Sequence, residues 1–286
     1  MYTLAAQIPM VASLLMMPFI SDNLNQNDYY VNGTVLAYVG MLAAFSSLGL
    51  IPLLQNSYFK DKTNFRSIWS QVIATLLLYR VFHAALVAFI IWYFFTDDIG
   101  SPNIYYVMAL VAVPLMLFDI TKSIGIRYFQ FQHRHSVIYR STAIAGIMSA
   151  VTTYVSIEVY ELHYLGFFMS AFVGNFFQFV YFAYQLHFKE KVLPNFRIDF
   201  RFIGRNLRIY APVIPHTYSA FLLDTSDRLV LDFNQERDLV SKDDIGLYNV
   251  AYSWTMHFNN FNSQVNTVVS PLYFEMFSRE EPEAEK

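Results

Sequence analysis

The chain has 286 residues, of which 55% are hydrophobic, 18% aromatic and only 14% charged. Soluble domains carry about 25% charged residues, so this composition excludes an ordinary soluble domain and indicates a membrane protein. The net charge of -3 gives no reason to expect a nucleic-acid partner, and the absence of cysteine excludes disulfides and thiolate metal sites.

Eight apolar runs have the length of about 20 residues that a helix needs to cross a bilayer. The first run lacks the basic segment and cleavage site of a signal peptide, so we interpret it as a retained membrane helix. The sequence therefore predicts an all-α polytopic membrane protein. The eight predicted helices span residues 2–20, 30–56, 68–95, 104–127, 137–158, 164–187, 209–231 and 245–274.

The polar breaks between these helices alternate in their content of lysine and arginine. Of the 19 basic residues, Arg80 and Arg228 lie inside predicted helices, and only Arg237 and Lys242 fall in the odd-numbered breaks. The remaining fifteen lie in or beside the even-numbered breaks or after the last helix. Because basic residues concentrate on the cytoplasmic side of membrane proteins, we expect eight crossings with both termini in the cytoplasm.

The third predicted helix carries a charge close to the middle of the membrane. Arg80 lies roughly 12 to 18 Å from the cytoplasmic end of this helix, and His83 follows one turn later on the same side. Charge inside a bilayer is costly and usually functional, so we expect Arg80 and His83 to contact an anionic group in a water-filled cavity. Two alternatives remain open, namely snorkelling to the inner head groups and a structural ion pair.

The fourth predicted helix carries charges near its cytoplasmic end, which we interpret as the cytoplasmic mouth of the protein. Asp119 and Lys122 are spaced i, i+3 and can pair with each other, and Arg127 lies beyond them as an interfacial anchor. Pro114, upstream of these charges, frees a backbone carbonyl and predicts a kink.

A basic linker of about 21 residues follows the sixth predicted helix. Asp199 can cap a short helix whose two faces differ, one apolar and one formed by arginines. We expect this helix to lie on the inner leaflet with its arginines on anionic lipid head groups; the alternative is a solvated linker. The arginines are Arg201, Arg205 and Arg208.

The seventh predicted helix ends in "LLDTSDRLVLDF", where aspartates surround one arginine. Asp224 and Arg228 are i, i+4 partners, with Asp227 beside them. Because Arg228 lies about 20 residues, or roughly 30 Å, beyond the predicted entry of the helix, the simplest interpretation places these charges in water at its outer end. The alternative is that Asp224 and Arg228 line a gate or a substrate cavity.

Weak similarities indicate that the seventh predicted helix repeats the pattern of the first. Both contain an Ile-Pro pair, and each following helix opens with a glycine, Gly33 or Gly246. Repeats of this kind occur in transporters built from two similar bundles, so we expect a fragment of such a protein. The predicted organisation is a six-helix bundle at 1–187, a cytoplasmic linker at 188–208 and the first two helices of an incomplete second bundle at 209–286.

No nucleotide-binding or hydrolytic motif is present: the sequence lacks a Walker P-loop, a dinucleotide fingerprint, HExxH and GxSxG. His133 and His135 form an HxH pair, but without further ligands a basic loop is the better interpretation. We therefore expect no metal, no cofactor and no enzymatic activity.

The seventh predicted helix opens with Pro212 and Pro215, a Ser-Asp-Arg triplet ends at Arg228, and Gly246 and Tyr248 open the eighth. Together these three features resemble the Wzx-like lipid-linked oligosaccharide flippases of the multidrug/oligosaccharidyl-lipid/polysaccharide exporter superfamily. The resemblance extends over nearly the whole chain. It departs in length, because members carry about twelve or more helices.

The resemblance implies two six-helix bundles around a central cavity that opens alternately to each side. The substrate would be an undecaprenyl-pyrophosphate-linked oligosaccharide, moved to the periplasmic leaflet of the bacterial inner membrane for surface polysaccharides such as O-antigen of lipopolysaccharide. Arg80, with His83, would then contact the pyrophosphate. Polysaccharide polymerase or ligase machinery would be a partner of such a protein.

Two other functions remain open. A cation-coupled multidrug exporter of the same superfamily would favour buried carboxylates, whereas the deep charge here is Arg80. A polysaccharide polymerase or ligase handles the same lipid carrier, but such enzymes usually carry a large periplasmic loop, and the predicted outer breaks are short.

Overall fold

The protein is built from α-helices, which confirms the predicted class. The computed structural model describes residues 11, 15–16, 18–60, 64–235, 237 and 239–278. It is 86% helical, and none of the described residues lies in a strand. The helices of this part of the chain are α1 (Gln26–Ala43), α2 (Ile51–Lys60), α3 (Phe65–Ile99), α4 (Asn103–Phe131), α5 (His135–Val159), α6 (Tyr164–Lys189), α7 (Phe200–Tyr210), α8 (Val213–Gln235) and α9 (Lys242–Ser278).

Four of these helices, α3 to α6, are long and apolar enough to cross a membrane. They coincide with the third to sixth predicted helices, and each end lies within about four residues of the prediction. Helices α8 and α9 form where the seventh and eighth were predicted, but they are more polar. The first predicted helix, over 2–20, lies largely outside the described residues.

The predicted second helix, over 30–56, is wrong as one continuous element. Helix α1 ends at Ala43, a 3-10 turn follows at Ala44–Ser47, and α2 begins at Ile51. Between them Leu48 and Gly49 have left-handed backbone angles, with φ of 51° and 69°. Because this conformation is easy for glycine and breaks the α-helical hydrogen-bond pattern, the chain turns here instead of continuing.

Wider, π-helical turns interrupt or end three of the spanning helices. In α4 the π-helical segment is Pro114–Phe118, and the N–H of Asp119 donates to the carbonyl of Pro114, five residues back. Proline has no N–H and clashes with the preceding turn, so irregular helix geometry is common at a proline. The predicted distortion at Pro114 therefore takes this form, directly before Asp119.

The described part of the interior contains two apolar clusters, one toward each end of the helices. One surrounds the fully buried Trp69, whose indole donates to the carbonyl of Leu54 at 3.0 Å. The other includes Tyr30, Val87 and Phe95. Large apolar side chains also remain exposed along α3, including Phe82 at 65%. An exposed apolar face on a helix of this length is typical of contact with lipid.

The polar segments between the helices contact one another within two groups, the predicted outer breaks and the predicted cytoplasmic breaks. Among the predicted outer breaks, the amide of Asn23 donates to Glu158 at 2.8 Å, and Lys242 pairs with Asp98. Among the predicted cytoplasmic breaks, Arg134 pairs with Glu190. Each set therefore makes contacts within itself, at its own end of the helices.

Helix α1 packs directly against α8 and α9. Two glycines permit the close approach to α9: a Cβ at Gly33 would lie 2.2 Å from the side chain of Asn249, and one at Gly246 would lie 2.1 Å from the carbonyl oxygen of Gln26. Both distances are far below van der Waals contact, so a larger residue would force the helices apart. The two glycines that open the predicted repeat thus serve one interface.

Helix α7 confirms the predicted cap. The carboxylate of Asp199 accepts from the N–H groups of Arg201 and Phe202 at 2.9 and 3.1 Å. Ile203 is buried in the core, and the arginine face of the helix is exposed. The arginines on that face are Arg201, Arg205 and Arg208.

Candidate functional site

A cavity of about 760 Å³ lies between α1, α5, α6, α8 and α9. Most of its surface is apolar, polar and aromatic side chains lie among small residues, and Arg228 is the one charged side chain of the described lining. The polar side chains are Asn32, Thr142, Ser149, Thr153, Ser170, Asn175, Gln178, Thr225, Asn249 and Ser253, and the aromatic ones are Tyr29, Phe167 and Tyr252.

Arg228 is held in this wall by contacts with α1 and α9. Its Nη1 donates to the carbonyl of Gly33 at 3.3 Å, and its guanidinium lies 4.1 Å from the centre of the Tyr252 ring. The side chain is only 7% exposed, yet its Nε has no hydrogen-bond partner. A buried guanidinium with an unused donor is suited to binding an anion.

The other charges of this segment are also covered by neighbouring helices. Asp227 accepts from the hydroxyl of Tyr248 and from the N–H of Arg228, and Asp232 is buried. The interpretation that these groups mark a helix end in water is therefore wrong for Arg228 and Asp232, because α1 and α9 cover α8 here. The side chain of Asp224 lies outside the described side chains, so its role stays a prediction.

At the predicted outer end of the helices, a polar network joins α1, α3, α8 and α9. Asp232 accepts hydrogen bonds of 2.9 Å from the hydroxyls of Tyr30 and Tyr38. The Tyr30 hydroxyl also lies 3.0 Å from Asp98, which pairs with Lys242. Sequence reasoning missed Tyr30 and Tyr38, although polar tips at these positions of a membrane helix could have drawn attention to them.

Arg80 and His83 lie inside the helix bundle and outside the described lining of the cavity. Arg80 is 2% exposed and pairs with Asp119 of α4, which is the ion-pair alternative raised by the sequence. His83 Nε2 lies 3.1 Å from the carbonyl oxygen of Leu42. The predicted contact of these two residues with an anionic substrate stays a prediction.

Of the charges predicted at the cytoplasmic mouth, Asp119 and Lys122 contact each other, and Arg127 lies apart from them. Asp119 and Lys122 pair at 3.3 Å, which confirms their i, i+3 contact, and Asp119 also takes part in the Arg80 pair. Lys122 donates to the side-chain carbonyl of Asn175 at 2.7 Å, and Asn175 lines the cavity. Arg127 is half-buried farther along α4. Asn175 was missed, although an asparagine within "FVGNFFQFV" is an evident polar exception.

Among the described residues, no group of three or more His, Asp or Glu side chains is placed to hold a metal ion. The one charged side chain of the described cavity lining, Arg228, instead contacts a backbone carbonyl and an aromatic ring.

These observations define an all-helical polytopic membrane protein with a partly open, largely apolar cavity whose described lining carries polar side chains and one cation. A family model described as "Polysaccharide biosynthesis protein" matches residues 24–285, so the chain belongs to that family. This confirms the family resemblance predicted from the sequence and assigns the protein a role in polysaccharide biosynthesis. Neither a curated protein nor a solved structure matches the chain.

Proposed function

We propose that this protein is a flippase rather than an enzyme, and that it moves a polyprenyl-pyrophosphate-linked oligosaccharide from the cytoplasmic to the periplasmic leaflet by alternating access. The observation that carries the proposal is the buried Arg228 in the wall of the cavity, with an unused Nε donor and no carboxylate among the described lining side chains. A pyrophosphate entering the membrane interior needs such a cation.

The remaining wall suits the other parts of this substrate. Hydroxyl and amide side chains such as Asn32 and Gln178 can hydrogen-bond to sugar hydroxyls, and the rings of Tyr29 and Tyr252 offer flat faces for sugar rings. Leu36 and Met256 provide apolar surface for the polyprenyl chain.

The outer network supports a conformation that is closed toward the periplasm. Asp98 and Tyr30 belong to the predicted first bundle, whereas Lys242 and Asp232 belong to the second, and these four residues join the two at the predicted outer end of the helices. Together with the distribution of lysine and arginine, this favours a protein of the bacterial inner membrane with a cytoplasmic amino terminus. Release of the substrate outward would require this network to separate.

The cavity gives less support to the alternatives. A cation-coupled multidrug exporter would need carboxylates facing its cargo, and the described lining contains none. A polymerase or ligase would need catalytic groups outside the membrane, and the described outer breaks hold only short turns. We further propose that polymerase or ligase machinery receives the translocated oligosaccharide, and that anionic lipids bind the arginine face of α7.

The test is replacement of Arg228 by methionine, which keeps an unbranched side chain and removes the charge. Arg228→Met in the native host should reduce surface polysaccharide about tenfold or more, with lipid-linked oligosaccharide accumulating on the cytoplasmic side. The matched control is Arg237→Met, because Arg237 is exposed with its guanidinium 4.2 Å from the Phe233 ring. Normal export by Arg228→Met at equal protein abundance would refute the proposal.

A further inference from the structure

A cluster of three charges, of which Arg80 is buried and the other two are partly buried, lies between α3 and α4. The carboxylate of Asp119 pairs with Arg80 of α3 and with Lys122 one turn along α4. Arg80 is 2% exposed, and the side chains of Asp119 and Lys122 are 23% and 22% exposed. All three residues lie within helices that are apolar enough to span a membrane.

The charges of this cluster do not balance. Two cations share one carboxylate, and the described side chains provide no second carboxylate within salt-bridge distance of either cation. Arg80 also keeps two buried donors, Nε and Nη1, without hydrogen-bond partners. An uncompensated positive charge in a low-dielectric interior is costly, and a nearby anion would lower that cost.

Lys122 connects this cluster to the cavity. Its ammonium donates to Oδ1 of Asn175 at 2.7 Å, and Asn175 lines the cavity together with Ala171 and Gly174, which have little or no side chain. The amide group of Asn175 is thus the described contact between the ammonium and the cavity wall. A lysine side chain has four rotatable bonds, so its ammonium can change partners without movement of the helix.

We propose that Lys122 is a second phosphate-binding residue, which Asn175 and Asp119 hold back in this conformation and which turns into the cavity when a polyprenyl pyrophosphate enters. This inference rests on the proposed function and adds to it the residue that joins Arg228. Movement of the Lys122 ammonium is electrostatically favourable at the site it leaves and at the site it reaches. It leaves Arg80 and Asp119 as a neutral pair, and it gives the pyrophosphate a second cation.

The experiment measures the affinity of the purified protein for undecaprenyl pyrophosphate in detergent, with uncharged undecaprenol as the comparison ligand. The variants are Lys122→Met, Lys122→Arg and Arg228→Met. The control is Lys189→Met, because Lys189 lies at the end of α6 with its ammonium 5.1 Å from the Tyr184 ring. Lys122→Met is expected to fold, because it leaves the neutral Arg80–Asp119 pair in place.

Lys122→Met should bind undecaprenyl pyrophosphate about tenfold to a hundredfold more weakly, since it loses one charge-assisted contact. Lys122→Arg should retain most of the affinity, and binding of undecaprenol should be unchanged in every variant. Wild-type affinity in Lys122→Met together with weak binding in Arg228→Met would overturn this inference and leave the proposed function standing. Wild-type affinity in both variants would overturn both.

A second variant covers the case in which Lys122→Met does not fold. Asn175→Ala removes the carbonyl that holds the ammonium and leaves all three charges of the cluster in place. It should bind undecaprenyl pyrophosphate about threefold more tightly or better, because Lys122 no longer gives up a hydrogen bond to reach the phosphate. Unchanged or weaker binding would overturn the inference.

Discussion

Arg80 and Asp119 lie 39 residues apart in the chain and form an ion pair that links α3 to α4 inside the protein. Removing Arg80 leaves Asp119 paired with Lys122, whereas removing Asp119 leaves the buried guanidinium of Arg80 without a carboxylate. The pair therefore offers a direct measure of how strongly these helices are held together.

Asp119→Leu should lower stability by about 3 to 5 kcal/mol, because it leaves the buried guanidinium of Arg80 without a carboxylate. The double variant Arg80→Met with Asp119→Leu should recover most of this loss. The amount of mature protein in the membrane should rank the variants in the same order as their stability. Thermal unfolding of the three proteins in one detergent tests this. Equal losses in the single and double variants would show that the ion pair does not couple the two helices.

The outer network should open during transport. With cysteines at Asp98 and Lys242, a short bifunctional thiol reagent should join α3 to α9 and stop export of lipid-linked oligosaccharide. The chain has no other cysteine, so the background is clean.

The control for this cross-link joins two residues of the predicted first bundle. Cysteines at Asn23 and Glu158, whose native side chains are hydrogen-bonded at 2.8 Å, should be linked by the same reagent without loss of export. Continued export with the Asp98–Lys242 link in place would mean that the outer end does not need to separate.

The contact between α1 and α9 should depend on Gly246. Gly246→Ala places a Cβ against the backbone carbonyl of Gln26 and should cost about 1 to 3 kcal/mol. Gly204→Ala in α7 meets nothing within 4 Å and should stabilise that helix by about 0.5 to 1 kcal/mol. Melting temperatures of the two variants should therefore move in opposite directions. A raised melting temperature for Gly246→Ala would show that the helices are not in close contact.

The arginine face of α7 should bind anionic lipid. Replacement of Arg201, Arg205 and Arg208 by glutamine should remove about 1 kcal/mol per residue of the stabilisation that phosphatidylglycerol gives in nanodiscs. The comparison is made with nanodiscs of phosphatidylcholine, and Arg237→Gln, in a predicted outer break, is the control. Undiminished stabilisation by phosphatidylglycerol would favour the solvated-linker alternative.

The predicted topology is tested by single cysteines in intact cells. Asn25→Cys lies in a predicted outer break and should react with a membrane-impermeant thiol reagent, whereas Lys189→Cys, beside the cytoplasmic linker, should react only after permeabilisation. The reverse pattern would invert the orientation of the protein and with it the proposed direction of transport.

The spanning helices were predictable because each is a long apolar run between polar breaks, a local property of the sequence. The interruption at Leu48 and Gly49 was not, since a single glycine in an apolar run is compatible with a continuous helix. Sequence spacing correctly paired Asp119 with Lys122 within one helix. It could not place Arg228 in a cavity wall, because that depends on how α1 and α9 pack over α8.

The π-helical segment at Pro114–Phe118 fixes the direction in which the second half of α4 faces. A π-helical turn accommodates one residue more than an α-helical turn, and one residue corresponds to about 100° of rotation. If the same five residues were wound as an ordinary α-helix, Asp119 and Lys122 would be rotated together by about that angle relative to the first half of the helix. Both charges would then face away from their present partners on α3 and α6. The angular setting of the charge cluster thus depends on the wide turn that follows one proline, independently of the chemistry of the charges themselves.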